Sequence, residues 1–475
     1  MTNPLAAIPN VVNVGVDLFS ERLAELGVPT VKRDWTPPLS GDADVYRAIF
    51  GLAGNAEAVR KLEHANLQVI EAMRAADPVL VDVVPAKVVL PELNERMALH
   101  AGPPLPFERM TGPAQGALIG AALYEGWTDS PEEARRMLES GAIKLDSCHH
   151  HHAVGPMAGI TSGSMPVLVV TNAVTGRNAY CILNEGIGPV LRFGAYNDEV
   201  HKRLKWFEEE LGPVLSDALH HAGGIPLKPI MAKALLMGDE MHQRNAAASL
   251  LFLKALLPHL AATASGHRLE RAVTFLGDTD QFFLNIGMAA GKSIGDAGHD
   301  VGGGSIVTAM CRNGVEFGVR VSGLGDAWWT GPVNSPIGMY FAGYRAEDGN
   351  PDIGDSAIME TIGLGGMALP ASPAVIGFVG SGTFEDAVEL FRRTRGIVQG
   401  TQPTFQIPAL DGQPALVGID VRLVAGTGVL PMINTGIAHK VAGVGQIGAG
   451  TVAPPLEAVQ KAAQALAAAV SAPRA

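Results

Sequence analysis

"NVVNVGVDLFSERLAELGVPTVKRDWTPP", residues 10–38, reads as strand, helix, strand. Val11 to Val14 form a β-branched apolar run, and Leu18, Leu23 and Leu26 follow at near-helical spacing. Gly27 ends the helix, and Val28 to Lys32 begin a second strand before Pro37 and Pro38. A βαβ-like start of this kind points to an α/β or α+β protein.

Working outward, the patterning predicts a long helix from about Glu57 to Ala76 and a strand at 78–86, "PVLVDVVPA". Ser130 as N-cap, Pro131 in the first turn, Glu133 bonding back and Gly141 as terminator spell a capping box around a short helix. "MPVLVVTN" and "AYCILNEGIG" read as two strands of a hairpin with Gly176 in the turn. Residues 198–265 are mainly helical in pattern, glycine-rich alternation runs over about 301–345, and Thr383 announces a helix in "FEDAVELFRRTRG". A last helix is expected near 455–470. "GVGQIG" at Gly443 to Gly448 matches GxGxxG, but "AGTVAPP" follows where a helix is needed, so a dinucleotide site is not expected. The expected organisation is multi-domain, without flexible linkers: an N-terminal α/β segment (1–100), a histidine-loop and strand region (101–200), a mainly helical region (201–300) and a glycine-rich α/β region (301–475).

Composition narrows the function. The 475 residues are 47% hydrophobic and 17% charged, ample for buried cores. A net charge of -12 speaks against a nucleic-acid partner, which needs a basic face. Three scattered cysteines, Cys148, Cys181 and Cys311, make neither a disulfide framework nor a CxxC metal site and point to the reducing cytoplasm. "MTNPLAAIPNVV" shows no secretory pattern. The most apolar window, Ala246 to Ala264, contains Lys254, Pro258 and His259 and reads as a core helix, not a membrane span.

"KLDSCHHHHAVGPMAGITSGSMPV", residues 144–167, carries four consecutive histidines, His149, His150, His151 and His152, on what reads as a loop after a helix. Imidazole titrates near working pH, so one or two of them suit acid/base catalysis or substrate contact. Metal ligation and simple backbone bonding are the alternatives; adjacent residues diverge, so the spacing is poor for one ion, and no metal or other cofactor is expected. The surrounding glycines and proline allow a ligand close to the backbone.

Other polar clusters lie in apolar or glycine-rich settings. "LNEGIG" places Asn184 and Glu185 at a strand end. "MGDEMHQRN" offers Asp239, Glu240, His242, Arg244 and Asn245, with Glu240 and Arg244 at i,i+4 spacing. Gly302 to Ser305, including Gly303, form a candidate anion nest ahead of Arg312, Asn313 and Arg320; an even separation would put both arginines on one face of a continuous strand. Gly314 and Gly318 leave room for a turn that would part them. "DGNPDIGDS" offers Asn350, Asp352 and Asp355, either an Mg²⁺ loop or a solvated turn. Lys292 lacks a Walker pattern, so ATP binding is not expected.

Taken in order, "NVVNVGVDLF", "LHAGPPLPFERMTGPAQGALIGAALYEGW", "CHHHHAVGPMAGITSGSMPV", "AYCILNEGIGPVLRFGA", "MGDEMHQRN", "FFLNIGMAAGKS", "RNGVEFGVRVSGL", "NPDIGDSAIMETIGLGG" and "INTGIAH" resemble the YlbE/AllG-like family over nearly the whole chain. The resemblance implies association with FdrA-like proteins, hence a hetero- or homo-oligomer, and with the oxamate carbamoyltransferase of allantoin catabolism. The implied reaction joins carbamoyl phosphate and oxamate to give oxalurate and phosphate, run physiologically in reverse. That chemistry needs an anion site, donors for a developing oxyanion and a base for a weakly nucleophilic amide nitrogen. The arginine-bearing glycine segment would supply the first, backbone N–H groups or asparagines the second, and the histidine run the third. A metal-dependent amide hydrolase and a non-catalytic scaffold subunit are the rival readings.

Overall fold

A computed structural model describes residues 11–14, 17–33 and 42–471. At its centre lies the helix Phe282–His299, whose residues from Phe282 to Gly298 are all buried. It is sandwiched between the helix Ala56–Ala75, the strands Pro166–Asn172 and Asn178–Ile182, and the strand Val307–Asn313. Packing this tight needs small residues. A Cβ on Gly295 would stand 2.6 Å from the Thr308 carbonyl oxygen, and one on Gly298 would strike Met73 at 2.7 Å.

The strand Pro78–Pro85 pairs antiparallel with Pro166–Asn172, which pairs in turn with Asn178–Ile182, inside a five-stranded sheet. The predicted hairpin is present, with Gly176 in the left-handed conformation (φ 73°) that its turn requires. A four-stranded sheet holds Val307–Asn313 next to Glu316–Val321, and a three-stranded one pairs Met97–His100 in parallel with Lys144–Ser147. The largest buried apolar cluster draws on residues from Val45 to Ala467; a second surrounds the helix Gly112–Tyr124.

The βαβ start is as read: Val11–Val14 and Thr30–Arg33 run parallel around the helix Asp17–Glu25, with Gly27 at φ 69°. Pro37, Pro38 and the first ten residues lie outside the described residues. Helices at Ala56–Ala75, Phe384–Thr394 and Leu456–Ser471 match expectation, and Thr383 makes a complete capping box with Asp386. Ser130 also caps its helix, but only half of the expected box forms. Its hydroxyl accepts from the Glu133 N–H at 3.3 Å, while the Glu133 carboxylate turns to Arg136. Gln446–Val452, over the end of "GVGQIG", is a strand, so the segment is not a nucleotide-binding turn.

The helix Ala246–Thr263 is long and apolar enough to cross a membrane by length and composition alone. It is less buried than a core helix. Phe252, Leu256 and Leu260 face inward while Leu250 and Leu257 are exposed.

Candidate functional site

The strand Lys144–Ser147 delivers Cys148–His151 not as a loop but as one turn of 3₁₀ helix, closed by His152 in the left-handed region at φ 54°. Three residues per turn fan consecutive side chains around the axis, so the four imidazoles take separate environments. His150 donates from Nδ1 to Asp146 at 2.7 Å and accepts the Trp328 indole N–H at Nε2, 3.0 Å away. His151 puts its two nitrogens against Glu92 and Asp146. His149 points inward and its side chain is wholly buried; neither ring nitrogen has a hydrogen-bond partner, and Asp355 stands 3.7 Å from Nε2. His152 is half exposed and sets Nδ1 3.1 Å from Asp296. A non-glycine residue at positive φ is strained, and here the strain aims that ring at its carboxylate.

Asp296 organises the site. Its Oδ1 accepts from Lys292 Nζ at 2.7 Å and from Arg320 Nη2 at 2.5 Å, while Oδ2 faces His152. Lys292 and Asp296 are one turn apart on the central helix, so the cation and the carboxylate share a face. Burial would raise the Asp296 carboxyl, but Lys292 and Arg320 override it and hold the group well below the usual carboxylate range. Burial, aided by the neighbouring Arg320 charge, brings the Lys292 ammonium down to about 8. The same two causes push His299 down to about 4. His152, Asp296, His299 and Arg320 border a cleft of about 650 Å³, with Lys292 buried beneath Asp296 and Arg177 and Asp300 paired on the rim at 2.8 Å. Arg320 is buried and its Nε has no hydrogen-bond partner. The arrangement offers fixed donors for an anion beside an imidazole oriented by a carboxylate.

Other expected site residues fall elsewhere. Arg312 and Arg320 do not share a face. The chain turns between the strands Val307–Asn313 and Glu316–Val321, at Gly314 (φ 85°), and Arg320 pairs in register with Ala309, three residues from Arg312. Arg312 is buried in a two-pronged ion pair with Asp352, so neither group is free to receive a ligand. Asn313 accepts the N–H groups of Val315 and Glu316 and donates to the Pro103 carbonyl, which makes it a turn former. Ser305 closes onto Asn66, its N–H donating to Oδ1 at 2.7 Å, and Gly303 sits at a separate hollow beside Lys61; the segment is no nest for Arg312 or Arg320. The Asn350 side-chain amide donates to the Pro351 carbonyl.

Glu185 is likewise outside the cleft. Its buried carboxylate accepts the N–H groups of Leu191 and Arg192, each at 3.0 Å, and Asn184 ties Gln281 to Asn285. In "MGDEMHQRN" the expected Glu240–Arg244 side-chain pair does not form, because the segment is a loop between helices. The Arg244 guanidinium meets Asp239 at 2.8 Å, while Glu240 accepts backbone N–H groups from His242, Gln243 and Arg244. Asn245 donates to the His242 carbonyl. "DGNPDIGDS" is neither a solvated turn nor an open Mg²⁺ loop, since Asp352 and Asp355 are both buried. Asp355 accepts N–H groups from Gly102 at 2.7 Å and Gly155 at 2.8 Å. Gly102 can approach this way only because it lacks a side chain: it sits at φ 84°, and a Cβ there would lie 2.5 Å from the Arg312 backbone.

The comparisons agree with this architecture and with the resemblance drawn from the motifs. A family model described as "Oxamate carbamoyltransferase subunit AllG" matches residues 143–356, a span that contains the histidine run, the central helix and Arg320. The Escherichia coli K12 protein named "Oxamate carbamoyltransferase subunit AllG" is 51% identical over 406 residues, covering 85% of this chain and 97% of its own length. This chain belongs to the AllG family. The Escherichia coli K12 protein YahG, uncharacterised, is 42% identical over 454 residues and covers 95% of this AllG-family chain and 96% of its own length. A crystal structure of a conserved Enterococcus faecalis V583 protein of unknown function superposes with a TM-score of 0.85 at 44% identity, covering 87% of this chain and 99% of that one.

Lys292, Asp296, His299 and Arg177 were not among the site residues read from the sequence, and Asp355 was read only as part of a Mg²⁺ loop or solvated turn. For Lys292 and Asp296 a signal existed. In "FFLNIGMAAGKSIGDAGH" they are charged residues at i,i+4 on a helix otherwise made of small and apolar residues. A charge that must be buried there needs a partner or a task.

Proposed function

We propose that this chain serves in a carbamoyltransferase of the oxamate type, as a subunit working beside an FdrA-like partner. In this reading its cleft handles the transfer of a carbamoyl group between phosphate and the amide nitrogen of a small carboxylate-bearing amide. The family supports a role in that enzyme system. The observation that carries the finer reading is the convergence of Lys292, Arg320 and His152 on Asp296 at the cleft.

In the synthetic direction the amide nitrogen of oxamate attacks the carbamoyl carbon as the bond from that carbon to the phosphate oxygen breaks. Asp296 at Nδ1 leaves the Nε2 atom of His152 to take the proton from the attacking nitrogen. The Arg320 guanidinium, with an unengaged Nε, and the Lys292 charge stabilise the departing phosphate or the carboxylate of the amide. The reverse reaction, phosphorolysis of oxalurate, uses the same groups with the proton returned from Nε2.

The test is carbamoyl phosphate formation from oxalurate and inorganic phosphate by the assembled enzyme, comparing His152→Ala and Arg320→Lys with the parent. A loss of roughly 10² or more in turnover for His152→Ala, with an unchanged melting temperature, is expected. Parent-level transfer in both variants would remove the cleft from the chemistry and leave the chain as a scaffold.

A further inference from the structure

His149 belongs to the lining of the cleft, yet its two ring nitrogens are buried without a partner. Buried polar groups are paired in the great majority of cases, because stripping one of water without replacement costs about 1–3 kcal/mol. Two unpaired nitrogens on one wholly enclosed ring therefore ask for an occupant. Two other groups face the same place. The Cys311 sulfur comes from the strand Val307–Asn313 and the Asp355 carboxylate from the segment that follows Ile353–Gly354, and the ligand atoms of the three residues all lie within 4.8 Å of one another. Among the described residues this is the trio of histidine, cysteine and carboxylate so placed.

We propose that His149, Cys311 and Asp355 bind a zinc-class divalent ion. One imidazole nitrogen, one thiolate and one carboxylate oxygen are the donor types that such an ion takes, and three protein ligands leave the fourth tetrahedral position for a water or a substrate oxygen. A soft thiolate beside an imidazole argues against Mg²⁺ or Ca²⁺, which prefer all-oxygen shells. The charges also fit. A 2+ ion with one thiolate and one carboxylate makes a neutral unit, which a buried site tolerates far better than an isolated ion.

The supporting shell is in place. Asp355 accepts one N–H at each oxygen, from Gly102 and from Gly155, which fixes the carboxylate plane while leaving lone pairs for an ion. The other two cysteines, Cys148 and Cys181, are buried too but do not belong to this cluster. His150 and the half-buried His151 are already satisfied by Asp146, Glu92 and Trp328. The spacing within "CHHHH" gave no reason to expect a metal. The site draws only one ligand from that run and two from distant segments, an arrangement invisible to local spacing. It does not depend on the substrate proposed above.

Tag-free protein, stripped with chelator and dialysed, is titrated with Co²⁺ under reducing conditions and followed by its absorption spectrum. The expected result is one Co²⁺ per chain with a thiolate-to-cobalt charge-transfer band and tetrahedral d–d intensity, both abolished by adding Zn²⁺. Cys311→Ser should lose the charge-transfer band, and Asp355→Asn should weaken binding at least tenfold. Binding with no thiolate band overturns the proposal and assigns the ion to the histidines outside the trio, and a band that persists in Cys311→Ser overturns it by assigning the thiolate to Cys148 or Cys181. Should the variants fail to fold, X-ray absorption of the zinc-loaded parent decides. A sulfur scatterer at about 2.3 Å supports the site, and a shell of nitrogen and oxygen alone overturns it. Because the readout is spectroscopic, a negative carbamoyl-transfer assay leaves this result standing, and the converse holds too.

Discussion

Arg312 grips Asp352 with both arms of its guanidinium inside the protein, Nε to Oδ2 at 2.6 Å and Nη2 to Oδ1 at 3.0 Å. Thr435 adds a hydroxyl to the same Oδ1 at 2.8 Å, and the remaining Arg312 nitrogen reaches the Gly354 carbonyl. This pair ties the strand Val307–Asn313 to the segment that carries Asp355. Arg312→Met would strand a buried carboxylate, a loss of about 3–5 kcal/mol in such settings. Urea denaturation should show that drop, with phosphate affinity of the folded fraction unchanged; a selective loss of affinity at parent stability would return Arg312 to the ligand site.

Much of the scaffold was legible because its determinants are local. Gly27 and Gly176 stop a helix and turn a hairpin through their own φ angles, and Thr383 caps through a residue three positions away. The site is not local. His152 was visible as part of a run, but its task is set by Asp296, 144 residues further on, and by Arg320 beyond it. Arg312 and Arg320 looked equivalent because spacing cannot tell a continuous strand from a hairpin turned at Gly314. Lys292 was weighed only against a phosphate-loop motif, whereas its importance lies in being charged on a fully buried helix.

The histidine run divides by environment, and single replacements should divide with it. His151 sits between Glu92 and Asp146 near the surface, so His151→Ala should cost no more than about 1 kcal/mol and leave turnover within a few-fold. His152→Ala removes the imidazole that Asp296 orients and should instead affect turnover. Equal effects of the two replacements on melting temperature and rate would mean that the turn acts as one structural unit.

Glu185 offers the contrasting case of a carboxylate whose work is architectural. It holds the backbone of Leu191 and Arg192, and Arg192 in turn donates to the Gly186 carbonyl at 2.7 Å. Glu185→Gln keeps the shape but places an amide N–H₂ against a backbone donor. A destabilisation of about 1–3 kcal/mol is expected, with turnover per folded molecule preserved. A large fall in turnover without a change in the denaturation midpoint would contradict that assignment.

His299 makes a pH-dependent contribution whose sign follows from its surroundings. Burial first, and then the charge of Arg320, lower its folded pKa to about 4 from an ordinary value of 6.5. Thr308 faces its Nδ1 at 3.2 Å, and Asp326 faces its Nε2 at 3.1 Å but is itself exposed to solvent. Between those two pH values the unfolded chain binds a proton at this ring that the folded protein does not. Stability is therefore full above pH 6.5, falls as the pH drops from 6.5 towards 4, and no longer changes through this group below that. One proton sets the limiting slope at about 1.4 kcal/mol per pH unit. His299→Gln removes the linked proton, so the stability difference between parent and variant should be flat above pH 6.5 and slope between 6.5 and 4. Urea midpoints taken at half-unit steps would measure it, and two parallel curves across that window would show that His299 is not held neutral by the fold.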